Sequence, residues 1–175
     1  ATAEGIREAF LEYLVKDGVV SGLASRREDG GYDLLLHPDD TLTGISYRLL
    51  PMTRSIIAGM VDEVQASKSF ALIEEHLLHP DGARLMDKPP QYHGGVSEIF
   101  ERAEQATYIG RELSLMYTHA HIRYMEALAK VGRGGEAWSE SLKISPVTVN
   151  ERVPNATLRQ RNLYFSSSEG DYKTR

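Results

Sequence analysis

The stretch GRELSLMYTHAHIRYMEALAKV, residues 110–131, decides the fold class. Leu113, Met116, Tyr117, Ala120, Tyr124 and Leu128 recur there at the spacing of one helical face. Leu115, Ile122 and Ala129 fall on the opposite face, with His119 at its edge, and Glu112, Arg123 and Lys130 share the strip between. A helix apolar on two sides is packed between neighbours. The spacing therefore predicts an inner helix of a layered helical bundle or toroid. Gly132, Gly134 and Gly135 turn the chain after it, and Glu136 to Leu142 read as a short partner helix.

Upstream the punctuation is also helical. Thr2 and Glu4 open a helix carrying Ile6, Phe10, Leu11 and Leu14, which Gly18 stops. Val19 to Ala24 and Tyr32 to Leu36 are β-prone runs separated by Glu28-Asp29-Gly30-Gly31, so they read as a hairpin. Thr53 reads as the cap of a short helix through Met60, and Asp62 as the cap of a longer one from Glu63 to Leu78. His79-Pro80-Asp81-Gly82 breaks it, Lys88 to Gly95 is a loop, and Ser97 opens another helical stretch. From Ser145 onward the chain reads as irregular, with one strand at Asn162 to Phe165. The class is mostly α with a small β excursion near residues 19–36, and 175 residues fit one domain or part of one.

Composition removes several functions. Acidic residues outnumber basic ones, 25 to 20, so there is no basic field for nucleic acid or for an anionic membrane surface. No apolar run is long enough for a membrane helix, and Ala1 opens in a helical pattern rather than a signal peptide. Cysteine is absent, which excludes thiolate nucleophiles and Cys-ligated metal and fits a cytoplasmic location. The start at Ala1 and the stop at Arg175 without a closing element read as one piece of a longer polypeptide.

The segment from Asp81 to Arg175 interleaves Arg, Tyr, His, Asn and Ser with apolar helix positions. Such side chains hydrogen-bond sugar hydroxyls and anions. Five stretches there and just upstream carry a resemblance: LLPMTR at 49–54, GARL at 82–85, GRE at 110–112, YTHAH at 117–121 and YMEAL at 124–128. Together they resemble the phosphorylases of glycoside hydrolase family 94. The closing run LRQRNLYFSSS at 158–168 is more similar to the 1,2-β-oligoglucan phosphorylase branch than to the cellobiose phosphorylases. The phosphorylase domain of cyclic β-1,2-glucan synthases is a more distant likeness.

The resemblance implies that residues 1–175 are a late portion of a single (α/α)6 toroid, hence a partial one. It implies inverting phosphorolysis of β-1,2-glucooligosaccharides, with inorganic phosphate as co-substrate and no cofactor. The implied partners are the glucan, phosphate and the rest of the parent chain, with a homodimer left open. The family's general-acid Asp sits in a DWND-type motif that is absent here; Trp138, the sole tryptophan, lies in Glu136-Ala137-Trp138-Ser139, a helix surface. The segment alone is therefore expected to be inactive, with no catalytic residue of its own.

Among individual residues, His119 matches the family's helix histidine, and the resemblance makes it the phosphate contact; its other reading is a histidine satisfied within a helical core. The phosphate reading needs the long helix walled in on two sides with the imidazole edge reaching a pocket. His121, about 160° around the helix from His119, cannot share a ligand with it and reads as packed or hydrogen-bonded beside the first apolar stripe. Arg84, Arg159, Gln160 and Asn162 have the forks and amides that suit vicinal hydroxyls or phosphate. The competing account pairs Arg84 with Asp81 or Asp87 and has Arg159 capping loop carbonyls. Tyr92, Tyr117 and Tyr164 suit a sugar face by stacking; helical spacing places Tyr117 in the core, while Tyr164 stays with the substrate set. Glu75, His76 and His79 have metal-ligand spacing, but a solvated helix end explains them, and no metal is expected. Two other readings remain: a helical interaction module without catalysis, and a family enzyme of different specificity or acceptor.

Overall fold

The computed structural model describes residues 2–88 and 116–152, with the backbone of two short strands at 165–166 and 173–174. The expected loop near residue 90, the helix opening at Ser97 and the first part of the 110–131 stretch lie outside the described residues. Within them, six helices dominate and the strands form four two-stranded antiparallel ladders. The mostly-α class holds.

Helix α1 (Ala3–Leu14) starts at Thr2, whose Oγ1 accepts the Gly5 N–H at 3.2 Å. None of its residues is fully buried, and Phe10 packs against the core from outside. Asp17 and Gly18 then take positive φ, 51° and 74°. They are the corner of a hairpin, β1 (Val15–Lys16) with β2 (Val19–Val20), rather than only a helix stop. Val19 and Val20 are thus already paired with β1, and of the expected Val19 to Ala24 run only Leu23 and Ala24 pair with the Tyr32 run, in a strand that extends to Arg26. Strand β3 (Leu23–Arg26) meets β4 (Tyr32–Leu35) in the register Leu23 opposite Leu35.

Helix α2 (Leu49–Ile57) begins earlier than expected, at Leu49 rather than after Thr53. Thr53 lies inside it, and its hydroxyl donates to the Leu49 carbonyl at 3.0 Å. Pro51 falls in the first turn, where no N–H is needed. Gly59 (φ 67°) ends the helix, with Met60 N–H bonding back to Ser55 O at 2.9 Å. Asp62 caps α3 (Glu63–His76) as expected, accepting from Gln65 N–H at 2.8 Å. Ala66, Ser69, Phe70 and Ile73 form its buried face. Strands β5 (Leu78–His79) and β6 (Gly82–Ala83) follow as a tight hairpin.

The decisive stretch forms α4 (Thr118–Lys130), which starts later than the periodicity predicts. Met116 is not helical: its backbone bridges Arg84, and Tyr117 is extended. Helix α4 packs mainly on α2 and on α5 (Gly134–Ile144). The two-sided burial is corrected, however. Ala120, His121, Tyr124, Ala127 and Leu128 share one contiguous buried arc, whereas His119, Ile122, Glu126 and Ala129 are exposed opposite it. Both helical neighbours press on the same side. A further helix, α6 (Pro146–Arg152), occupies sequence read as irregular. Pro146 presets φ at its first position, and buried Val149 anchors it with its N–H on Ser145 O. Strands β7 (Phe165–Ser166) and β8 (Lys173–Thr174) pair with each other; of the expected strand at Asn162 to Phe165, only Phe165 is among the described residues.

The core joins Leu49, Met52 and Ile56 of α2, Phe70 and Ile73 of α3, and Tyr124 and Leu128 of α4. Phe70 and Tyr124 lie 6.2 Å apart, and the Arg133 guanidinium covers the outer side of Phe70 at 4.7 Å.

Candidate functional site

Three of the stretches noted above converge here. LLPMTR is α2, GARL runs through β6, and YTHAH opens α4, which touches both. They meet tightly at Gly82, with φ at 127°. A Cβ there would lie 2.7 Å from Met116 Cγ and 3.2 Å from His121 Nδ1. Only glycine allows this backbone angle and this contact together.

That contact sets a buried polar cluster. The Ala83 N–H donates to His121 Nδ1 at 3.0 Å, so Nδ1 carries no proton. Nε2 then carries it and faces the Glu140 carbonyl at 3.1 Å, with the Glu140 carboxylate 3.6 Å away. Burial pushes the His121 pKa down, opposed by the Glu140 carbonyl and charge. The imidazole is a neutral clip between β6 and α5, as the packed reading of His121 expected. Next to it, Arg84 donates to Asp81 Oδ1 at 2.7 Å and to the Gly82 carbonyl at 3.1 Å. Both partners are almost fully buried, at 3% and 1% exposure. Of the two accounts of Arg84, the described contacts match the ion pair with Asp81. Lys143 closes the outer edge on Glu140 at 2.8 Å. Tyr124 stays protonated, its pKa pushed up by burial and then by Glu140.

The cluster is built for structure rather than turnover. Both imidazole nitrogens of His121 are committed. Among the described residues, Asp81 Oδ2 and Glu140 Oε2 are buried without a hydrogen-bond partner. Asp81 was legible as a partner of Arg84 from its spacing. Glu140 carries no such sequence signal; it is a charged residue on a short helix, and only the fold turns it inward.

His119 lies at the same end of α4 but on the outer face. Its Nε2 is 3.4 Å from Arg123 Nη2, and Arg123 pairs onward with Glu126. The imidazole is exposed in this chain, and the expected wall on that side is not formed by the described residues. Tyr117 is half-buried against the core, as its spacing suggested. Arg159, Gln160, Asn162, Tyr164 and Tyr92 lie outside the described residues. His76 stacks on Tyr47 with centroids 4.1 Å apart, and among the described residues no group of three side chains is placed to hold a metal. Nor is any described helix long and apolar enough to cross a membrane.

No protein-family model matches the chain. Among curated proteins, a 1,2-β-oligoglucan phosphorylase from Listeria innocua serovar 6a is 49% identical over 174 residues, which is 99% of this chain. The chain spans 16% of that protein's length, so its likeness to the phosphorylase is complete from its own side and covers one segment of the other.

Proposed function

We propose that this chain is one segment of the catalytic domain of an inverting phosphorylase acting on β-1,2-linked oligoglucans. The observation that carries the reading is identity at 49% sustained over 174 residues with a phosphorylase of that specificity. Half the residues shared along nearly the whole chain leave little room for a different backbone. On this reading the helices belong to an (α/α)6 toroid of the family 94 type, and the ring is completed by sequence beyond the 175 residues.

The chemistry divides accordingly. Inversion needs a carboxylic acid to protonate the leaving glycosidic oxygen while phosphate attacks the anomeric carbon from the other face. The products are α-glucose 1-phosphate and a glucan shortened by one unit. Phosphate is already nucleophilic, so no protein base and no resident cofactor are called for. The acid comes from outside these residues, and the segment alone does not turn over. What the segment offers is anion positioning. His119 and Arg123 lie four residues apart on α4 with Nε2 and Nη2 3.4 Å apart; the guanidinium donates there and the imidazole accepts, so on this reading phosphate takes over that guanidinium donor and meets the remaining imidazole N–H. His119 is exposed, and the described residues form neither the second wall nor the pocket that its phosphate role needs, so on this reading both are supplied by the rest of the parent chain.

The test is to incubate the full-length polypeptide carrying this segment with a β-1,2-oligoglucan and inorganic phosphate. Release of glucose 1-phosphate is expected. A soluble, folded polypeptide that releases none, or releases only free glucose, defeats the reading. His119→Ala should raise the apparent KM for phosphate more than that for glucan.

A further inference from the structure

Helix α1, the β3–β4 hairpin and the loop at 39–42 frame an open cleft of about 590 Å³. That volume lies within the range of small-ligand sites. Tyr13 and Tyr32 stand in it as a tilted pair, ring centroids 4.9 Å apart and planes at 43°. They are not core residues, since each keeps about two fifths of its surface exposed.

The polar rim narrows the ligand class. Lys16 Nζ is held by Asp39 at 2.7 Å. Arg27 is held by Asp29 at 3.1 Å and by Asp33 at 3.0 Å. Both cations of the lining are thus paired, and Glu12 adds a further carboxylate. A phosphate or other anion would meet an acidic lining with no uncommitted cation. An organic cation would meet Lys16 and Arg27. A neutral polyol meets neither objection: its hydroxyls can donate to carboxylate oxygens that the ion pairs hold still, and its apolar ring faces can lie on the tyrosines.

We propose that this cleft is a second saccharide site, which takes glucosyl units of a β-1,2-glucan at a distance from the reacting bond. The saccharide class rests on the cleft itself; the linkage rests on the function proposed above.

The experiment has two arms. In the first, the chain is titrated calorimetrically with a β-1,2-linked glucohexaose and, separately, with α-glucose 1-phosphate. Saturable binding of the hexaose and none of the phosphate ester is expected. Tyr32→Ala should weaken hexaose binding about tenfold, a loss of one stacking contact, and Tyr32→Phe should stay within about threefold of wild type. In the second arm, Tyr32→Ala in the full-length polypeptide should raise KM for long glucans and leave kcat and the KM for the shortest substrate unchanged. Hexaose binding indifferent to a folded Tyr32→Ala chain overturns the proposal, as does equal binding of the phosphate ester. So does a Tyr32→Ala polypeptide that melts earlier yet binds glucan as before, which would mean that protein covers the cleft. A wild-type polypeptide that binds glucan through Tyr32 but makes no glucose 1-phosphate supports this site and defeats only the phosphorylase reading.

Discussion

Removing the Asp81 charge tests whether Arg84 is a structural or a ligand-binding residue. Asp81→Asn is nearly isosteric. Its amide oxygen can still accept from Arg84 at the 2.7 Å position of Oδ1, and its NH2 replaces Oδ2, which has no hydrogen-bond partner among the described residues. What is lost is the charge opposite a guanidinium at 3% exposure. Breaking a buried pair from one side costs roughly 3–5 kcal/mol. The retained hydrogen bonds, including that from Arg84 to the Gly82 carbonyl, place the expectation near the lower end, about 3 kcal/mol. For a chain of this size that is a fall in Tm on the order of 10 °C. Arg84→Met should cost a comparable amount, because it strands the Asp81 carboxylate. The double variant Asp81→Leu with Arg84→Met should be less damaged than the sum of the singles, since an apolar pair of similar volume escapes the desolvation cost. Urea unfolding followed by circular dichroism measures all of these, with the m value checking that the unfolded state is unchanged. Additive single effects, or an Asp81→Asn loss below about 1 kcal/mol, would refute the buried pair. The substrate role, which the side-chain chemistry of Arg84 also fits, would then be the better account of it.

Two further outcomes rest on the same interior and a third on an exposed helix cap. Burial holds the His121 pKa below the ordinary 6.5, so the unfolded chain binds more protons than the folded one between those values. Stability from this group is therefore complete above about pH 6.5 and falls as the pH drops through the folded value, and burial shifts His79 the same way. Urea midpoints taken from pH 7.5 to 5 should decline, and a midpoint that stays flat or rises over that window would contradict the neutral clip. Gly82→Ala puts a Cβ 2.7 Å from Met116 Cγ at a φ of 127°, which should cost about 2–4 kcal/mol through backbone strain and a displaced His121 bond; a melting temperature within 2 or 3 °C of wild type would refute it. Asp62→Ala should cost only about 1 kcal/mol, the loss of one exposed helix cap, read from the same urea curves.

The legible parts of the fold are those governed by neighbours in sequence. Thr2 and Asp62 each accept a hydrogen bond from the residue three positions on, so their caps can be read locally. The buried arc of α4 through Ala120, Tyr124 and Leu128 is likewise a matter of spacing. The failures are non-local. Asp17-Gly18 suits a helix stop or a hairpin corner equally, and only the pairing of Val15 with Val20 decides. Met116 continues the helical period, yet its backbone is taken by Arg84, more than thirty residues away. Ile122 has the right period for a second buried face, but periodicity does not say whether a neighbour is there to cover it. In the site, Arg84 was legible as a residue and ambiguous as a role, because the same fork binds Asp81 or a sugar. Glu140 gave no signal, since a carboxylate on a short helix is ordinarily solvated.

The histidines show why residue type alone misplaces chemistry in this chain. His37 and His121 are fully buried and are bonded alike. Each Nδ1 accepts a backbone N–H, from Asp39 at 3.1 Å and Ala83 at 3.0 Å, and each Nε2 faces a carbonyl at 3.1 Å, that of Lys16 and of Glu140. That pattern fixes a neutral tautomer and uses the ring as a two-ended tie between backbone segments. Such a ring cannot receive a ligand proton without giving up a buried hydrogen bond, at a cost of about 1–3 kcal/mol. His76 is spent on stacking with Tyr47. Among the described imidazoles, His119 alone is exposed, and its Nε2 lies 3.4 Å from Arg123 Nη2, a nitrogen that can only donate. The structure therefore separates two histidines that sit two residues apart in YTHAH: one holds α4 against β6 and α5, and the other lies on the exposed side of α4 beside Arg123.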